Sequence, residues 1–318
     1  MPKRLKTVFM GTPLFALPSF KALADSEEVI AVVTQPDRPK GRGEIVTPPP
    51  IKIAAIKRSL PVYQPERIRK EPAFIETLSR LAPDLIVVVA FGQILPESVL
   101  TIPPLGCVNV HASLLPKYRG AAPIQWAIIR GERETGVTTI RMDAGMDTGP
   151  ILMKRSLPIG PTETAEALAP RLADLGAELL IETLSRLKED ALVPAPQDSS
   201  EATMAPLLKK EEGSIRWDES AEAIFNRWRG VIPWPGTTTF YERERWKISL
   251  MAIGDPEGRW GRPGEVLKLS EKGLEVAAEM GYIILLELQP EGGRRMTVQE
   301  YARGRPIREK TLLGQKEA

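Results

Sequence analysis

One cysteine, Cys107, and one histidine, His111, are all that the 318 residues contain of either type. A single thiol excludes an intrachain disulfide and fits a reducing compartment. One Cys beside one His is also a poor zinc set, so no metal is expected. Asparagine occurs only at Asn109 and Asn226, against 30 prolines. That balance suits a heat-adapted source, although a GC-rich genome would give the same bias. Long apolar runs are missing too. The start, MPKRLKTVFMGTP, is interrupted by Gly11 and Pro13 before a secretory signal could form, and no later run approaches a membrane span. A soluble, cytoplasmic protein is expected. Charge of one sign is also lacking, since 43 Lys and Arg against 41 Asp and Glu leave a net charge of +2. Any nucleic-acid binding must therefore rest on local patches.

What is present is ordinary globular material, 42% hydrophobic and 26% charged. The length exceeds the size at which single domains usually stop growing, so two domains are expected. Leu5–Met10 reads as a buried strand broken by Gly11-Thr12-Pro13. Phe15, Leu17, Phe20, Leu23 and Ala24 then recur at helical spacing, and Val29–Thr34 is a second strand. Strand, turn, helix, strand opens a doubly wound α/β domain. Helices are expected over 50–59 and 73–81, and Leu85–Ala90 (LIVVVA) is the continuous run of a strand covered on both faces. Strands over 106–110 and 138–142, with a helix over 124–129 between them, continue the pattern. A long amphipathic helix over 162–187 closes a first domain of residues 1–190.

Residues 191–207 are rich in Pro, Ala, Ser and Gln and read as a linker. Residues 208–318 change character. A helix over 221–229 is followed by short strand-like runs at 247–252, 264–269 and 282–288, punctuated by Gly and Pro. A small, OB-like β-barrel is expected there.

The histidine lies in NVHASLLP, residues 109–116. Alternation puts Asn109 and His111 on one face of a strand, at the end where open α/β sheets bind ligands. An imidazole there can move protons near neutral pH, and a carboxamide can donate to a developing oxyanion. Alone, the pair is more simply read as polar caps of a buried loop. A second segment, Met142-Asp143-Ala144-Gly145-Met146-Asp147-Thr148-Gly149-Pro150, places two aspartates on a Gly-rich turn after another strand. Asp147 could orient the imidazole, whereas a turn whose side chains cap backbone amides is the simpler alternative. Cys107 reads as strand packing. Gly11-Thr12-Pro13 lacks the later glycines of a dinucleotide fingerprint, so NAD binding is unsupported.

NVHASLLPKYRGAAPIQWAI followed by ETGVTTIRMDAGMDTGPIL resembles the core of the folate-dependent formyltransferases, and VFMGTPLFALPSF, VTQPDRPKGRG and VVVAFGQILP extend the likeness over most of the first domain. The resemblance implies a Rossmann-like catalytic domain with Asn109, His111 and Asp147 as the catalytic set. It also implies a folate site formed by Phe91, Gly92, Gln93, Ile94, Leu95, Ser113, Leu114, Leu115, Pro116 and Asp143. The donor would be 10-formyltetrahydrofolate and the acceptor the amino group of methionyl initiator tRNA. A monomer and no metal are likewise implied.

The segment from Thr34 to Gly43 carries Arg38, Lys40 and Arg42 against Asp37. As bare sequence it is a solvated basic loop leaving a strand end. The resemblance implies that it enters the tRNA acceptor stem, with Arg42 foremost. In the second domain Lys209, Lys210, Arg227, Arg229, Arg243, Arg245 and Lys247 are offset by nearby Glu. A barrel could still gather basic residues on one face, with Lys209 and Lys247 as tRNA contacts. Trp228, Trp234 and Trp246 are more simply read as core. Competing expectations are a glycinamide ribonucleotide or sugar-nucleotide formyltransferase, and a non-catalytic RNA-binding protein on the same fold.

Overall fold

The computed structural model describes residues 4–40 and 45–314. The chain divides into two compact units. The first comprises residues 1–123, 134–158 and 167–206, and the second 124–133, 159–166 and 207–318.

The first unit is built on a seven-stranded sheet. In chain order residues 1–206 contain β1 (Lys6–Gly11), α1 (Leu17–Ser26), β2 (Glu28–Val33), β3 (Arg38–Lys40), β4 (Ile45–Thr47), α2 (Pro50–Lys57), β5 (Val62–Tyr63), α3 (Pro72–Arg80), β6 (Leu85–Val89), α4 (Glu97–Leu100), β7 (Cys107–His111), α5 (Pro123–Ile129), β8 (Glu134–Arg141), β9 (Ile151–Pro158) and α6 (Ala165–Lys188), of which α5, from Ile124 on, is counted with the second unit. The sheet order is β5-β2-β1-β6-β7-β8-β9, while β3 and β4 form a separate hairpin. The strands β5 to β7 in that order pair in parallel. All five residues of β6 are buried, as a strand flanked by helices on both faces requires.

The doubly wound expectation holds, with an antiparallel extension at one edge of the sheet. β8 and β9 run antiparallel, and β9 lies at the edge. Of its sequence, ILMKRSLP, only Leu152 is buried, and Lys154 and Arg155 interrupt it, so no continuous apolar run announces it. The far end of α6 is tied down by Lys188, whose Nζ donates to the buried Glu27 carboxylate at 2.5 Å, while Leu5 N donates to the other oxygen at 2.7 Å.

Residues 191–206, expected as part of a linker, are counted with the first unit. Ala195 exchanges two backbone hydrogen bonds with Ile151, and Thr203 and Ala205 bond the backbone of Arg119. The polar composition reflects a strand-edge path over the unit's surface rather than a free tether.

The second unit contains α7 (Ala221–Gly230), β10 (Thr237–Tyr241), β11 (Glu244–Asp255), β12 (Val266–Ser270), β13 (Gly273–Ala277), β14 (Tyr282–Pro290), β15 (Met296–Thr297) and α8 (Val298–Gly304). The antiparallel order is β10-β11-β14-β13-β12, with β15 on β14. Residues 310–314 bridge the two edges. Leu312 pairs with Glu265 beside β12, Leu313 pairs with Tyr241 of β10, and Gly314 N donates to Phe240 O. The result is a small barrel. Its core holds Trp217, Trp228 and Trp246, with Trp246 stacked on Tyr241 and edge-on to Tyr301 at centroid distances of 4.7 and 4.9 Å. Trp228 and Trp246 are thus core, and Trp234 is exposed.

Candidate active site

β7 carries Asn109 and His111 to the carboxyl end of the parallel sheet, on one face two residues apart. Both are nearly buried, at 8% and 6% exposure. Asp147 arrives from the turn between β8 and β9, with its backbone at φ +54°. One carboxylate gathers the cluster. Asn109 Nδ2 donates to Oδ1 at 3.3 Å, Gly120 N donates to Oδ2 at 2.9 Å, and His111 Nδ1 stands 3.6 Å from Oδ2. The opposite ring nitrogen, Nε2, lies 2.9 Å from the carbonyl oxygen of Tyr118. A carbonyl only accepts, so Nε2 carries the proton and Nδ1 is the nitrogen presented to the carboxylate.

The SLLP turn is held rigidly beneath this cluster. Thr138 Oγ1 donates to Ser113 O at 2.7 Å and accepts from Leu115 N at 3.1 Å. Ser113 Oγ donates to Lys117 O at 2.6 Å, and Lys154 Nζ to Leu115 O at 2.9 Å. Ser113, Leu115 and Pro116 are buried, and Leu114 is partly so. Asp143 is exposed and accepts from Gly145 N at 3.0 Å and Thr148 Oγ1 at 2.7 Å. Turn capping therefore describes Asp143, whereas Asp147 turns its side chain to Asn109 and Gly120. Burial pushes the Cys107 thiol up to about 12, in keeping with strand packing.

The Phe91–Leu95 segment follows β6 and divides by role. Phe91 and Leu95 are buried in the core with Val8, Met10 and Val33. Phe91 O accepts from Thr12 Oγ1 at 3.0 Å and Gln35 Nε2 at 3.2 Å, which ties the ends of β1, β2 and β6 together. Gly92 has φ +83°, the left-handed region that suits glycine. Gln93 is fully used on backbone: Nε2 donates to Pro65 O at 2.9 Å and Oε1 accepts from Ile68 N at 2.8 Å. Ile94 stands out at 64% exposure. The Gln93 side chain is thus spent within the fold.

The basic segment after β2 folds back as the β3–β4 hairpin, with Arg38 exposed and paired in register with Thr47. Arg42 lies outside the described residues. Asp37 faces Lys52 Nζ at 2.7 Å and Gln64 Nε2 at 2.8 Å, and the hydrogen bond from Lys52 holds its carboxyl below the usual range. In the second unit Lys209, Arg245 and Lys247 are exposed. Arg227 is engaged with Glu212 and Glu219 at 2.8 and 3.1 Å, and the buried Arg229 donates to Gly160 O and Glu163 O. Those two arginines are structural. Among the described residues no three His, Cys, Asp or Glu side chains gather in a metal-holding arrangement.

Two residues beside Asp147 carry no motif of their own. Gln197 Nε2 donates to Asp147 O and Gly149 O, each at 2.7 Å, and its Oε1 accepts from Arg119 Nε and Nη2 at 3.1 and 2.7 Å. Arg119 stands inside LLPKYRG, but Gln197 sits in the stretch read as a linker. The pairing of Ala195 with Ile151 brings it to the turn.

Residues 5–184 match the family described as formyl transferase, and residues 207–306 match the formyl transferase C-terminal domain. Methionyl-tRNA formyltransferase of Citrifermentans bemidjiense is 50% identical over 315 residues, covering 99% of this chain and 98% of its own length. The chain belongs to the methionyl-tRNA formyltransferase family. The protein of the same name from Pelobacter propionicus is 53% identical over 308 residues, covering 96% of this chain and 95% of its own. The solved methionyl-tRNA formyltransferase from Clostridium thermocellum shares the fold with a TM-score of 0.53 at 20% identity, covering 78% of this chain and 93% of that one. Among the described residues no helix is long and apolar enough to cross a membrane.

Proposed function

We propose that the chain transfers the formyl group of 10-formyltetrahydrofolate to the free amino group of methionyl initiator tRNA, acting as a cytoplasmic monomer. The observation that carries this is one carboxylate, Asp147, gathering Asn109, Gly120 N–H and His111 at a strand end. It stands in a chain half identical to methionyl-tRNA formyltransferases along its whole length.

The amine lone pair attacks the formyl carbon, and the carbonyl electrons move onto oxygen. One N–H of Asn109 goes to Asp147, and the other is assigned to that oxyanion. The proton released by the amine is taken at His111 Nδ1, where Asp147 Oδ2 faces the resulting N–H and balances its charge. Collapse of the adduct breaks the bond to the folate nitrogen, which leaves with a proton returned from the imidazolium. No covalent enzyme intermediate is needed.

Folate is assigned to the loop Phe91–Leu95, the Ser113–Pro116 turn and the backbone around Asp143. The tRNA is assigned to Arg38, Lys40 and Arg42 in the first unit and to Lys209 and Lys247 in the second. The test offers the purified protein 10-formyltetrahydrofolate with methionyl initiator tRNA, methionyl elongator tRNA and glycinamide ribonucleotide in parallel, with His111→Ala as control. Preference for the initiator tRNA, lost in the variant, is expected. Turnover of glycinamide ribonucleotide alone would overturn the tRNA assignment.

A further inference from the structure

We infer that Arg119 and Gln197 are positioning residues that fix Asp147 for formyl transfer. The inference rests on the function proposed above and adds to it a device outside the Asn109, His111 and Asp147 set.

Asp147 occupies the left-handed region, uncommon for a residue with a side chain, so its conformation has to be imposed. Gln197 imposes it from the backbone side. The two N–H bonds of Nε2 are spent one each on Asp147 O and Gly149 O, which fixes the Asp147–Thr148 and Gly149–Pro150 peptide planes. An amide can ordinarily turn over and exchange its oxygen and nitrogen. Here it cannot, because Arg119 offers only donors, and both Nε and Nη2 point at Oε1. Arg119 thus dictates which end of Gln197 meets the turn.

Arg119 is only 7% exposed, and its backbone is pinned on both sides. Its N donates to Thr203 O at 2.8 Å and its O accepts from Ala205 N at 2.7 Å. The next residue, Gly120, sends its N–H to Asp147 Oδ2 at 2.9 Å. One short segment therefore grips Asp147 twice, at the carboxylate through Gly120 and at the backbone through Arg119 and Gln197. A displaced carboxylate would lose His111 and Asn109 together.

The test is a double-mutant cycle read in formyl transfer, with thermal unfolding measured on each variant. Gln197→Ala is expected to lower kcat by about 100-fold, the scale of an ångström-sized misplacement, with KM for tRNA nearly unchanged. Gln197→Glu should lose as much, since a carboxylate keeps Arg119 but has no N–H for the two carbonyls. It also carries the test if the alanine variant fails to fold. In an Asp147→Ala background the same changes should add less than about twofold, because residues acting through one another are not independent. Full multiplicative loss in that background, or a wild-type-like Gln197→Glu enzyme, would overturn the positioning role. Absence of transfer by the unaltered protein would instead overturn the proposed function, and the positioning role with it.

Discussion

His111 Nε2 donates to the carbonyl oxygen of Tyr118 at 2.9 Å, which leaves Nδ1 as the nitrogen facing the Asp147 carboxylate. The two ring positions therefore have separate duties, and substitutions can separate them. A glutamine at 111 can still donate to Tyr118 O but supplies no titratable nitrogen. His111→Gln is expected to fold with an unchanged circular-dichroism spectrum and to lose about 100- to 10,000-fold in kcat, the usual contribution of a positioned acid–base group. Single-turnover formyl transfer measures it.

Asn109 is assigned a donor role rather than a proton-transfer role. Asn109→Ala removes that donor, with an expected cost of about 3 to 4 kcal/mol in the barrier. The loss should appear in kcat and show little dependence on pH, in contrast to changes at His111. A pH–rate profile of the variant that changed shape would assign Asn109 a different role.

Gly120 aims the N–H that reaches Asp147 and has φ +117°. A Cβ added there would stand 2.8 Å from Ala205 O. Gly120→Ala should destabilise by more than about 1 kcal/mol, since both the backbone conformation and the space are wrong for a side chain. Chemical denaturation gives the stability change, and an accompanying loss of kcat is expected because Asp147 moves with it.

Burial holds the Cys107 thiol at about 12, against an unfolded value near 8.5. The folded protein should resist iodoacetamide at pH 8 and react once unfolded, as mass spectrometry would record. The sign for stability follows. A raised pKa contributes stability that is complete below the unfolded value and is lost as pH rises toward 12.

The second unit has a matched pair with opposite signs. Tyr301 Oη donates to Glu244 Oε2 at 2.6 Å. Burial, with that hydrogen bond, pushes Tyr301 up to about 12, so its stabilisation is complete below about 10 and is lost above it. Burial alone would push Glu244 up, but hydrogen bonds from Tyr301, Trp246 and Arg305 outweigh it and hold the carboxyl low. Its stabilisation is present at neutral pH and lost as acid titrates it. Tyr301→Phe should remove part of both limbs from the pH dependence of thermal unfolding. Unchanged limbs would discount the pair.

Much of the first unit was legible because its strands are buried on both faces and read as apolar runs. Alternation on a strand of known direction was enough to place Asn109 and His111 on one face. The rest was not legible for specific reasons. β9 is an edge strand interrupted by Lys154, Arg155 and Ser156, and β10 (TTTFY) and β13 (GLEVA) are too short to show a period. Gln93 looks like a ligand-binding side chain in a loop, yet both of its ends are consumed by backbone 65–68. Gln197 lies among Pro, Ala and Ser, and its partners are 50 and 78 residues away. No local pattern reports such a contact.

Residues 310–314 join the two edges of the barrel, β10 and the approach to β12, and they lie downstream of every strand they connect. As the polypeptide leaves the ribosome, the six strands can therefore pair among themselves while the ring stays open. Both rims then expose unsatisfied N–H and C=O groups to neighbouring nascent chains. Closure waits for five residues, so a premature stop before position 310 would leave both rims open as templates for pairing with another chain.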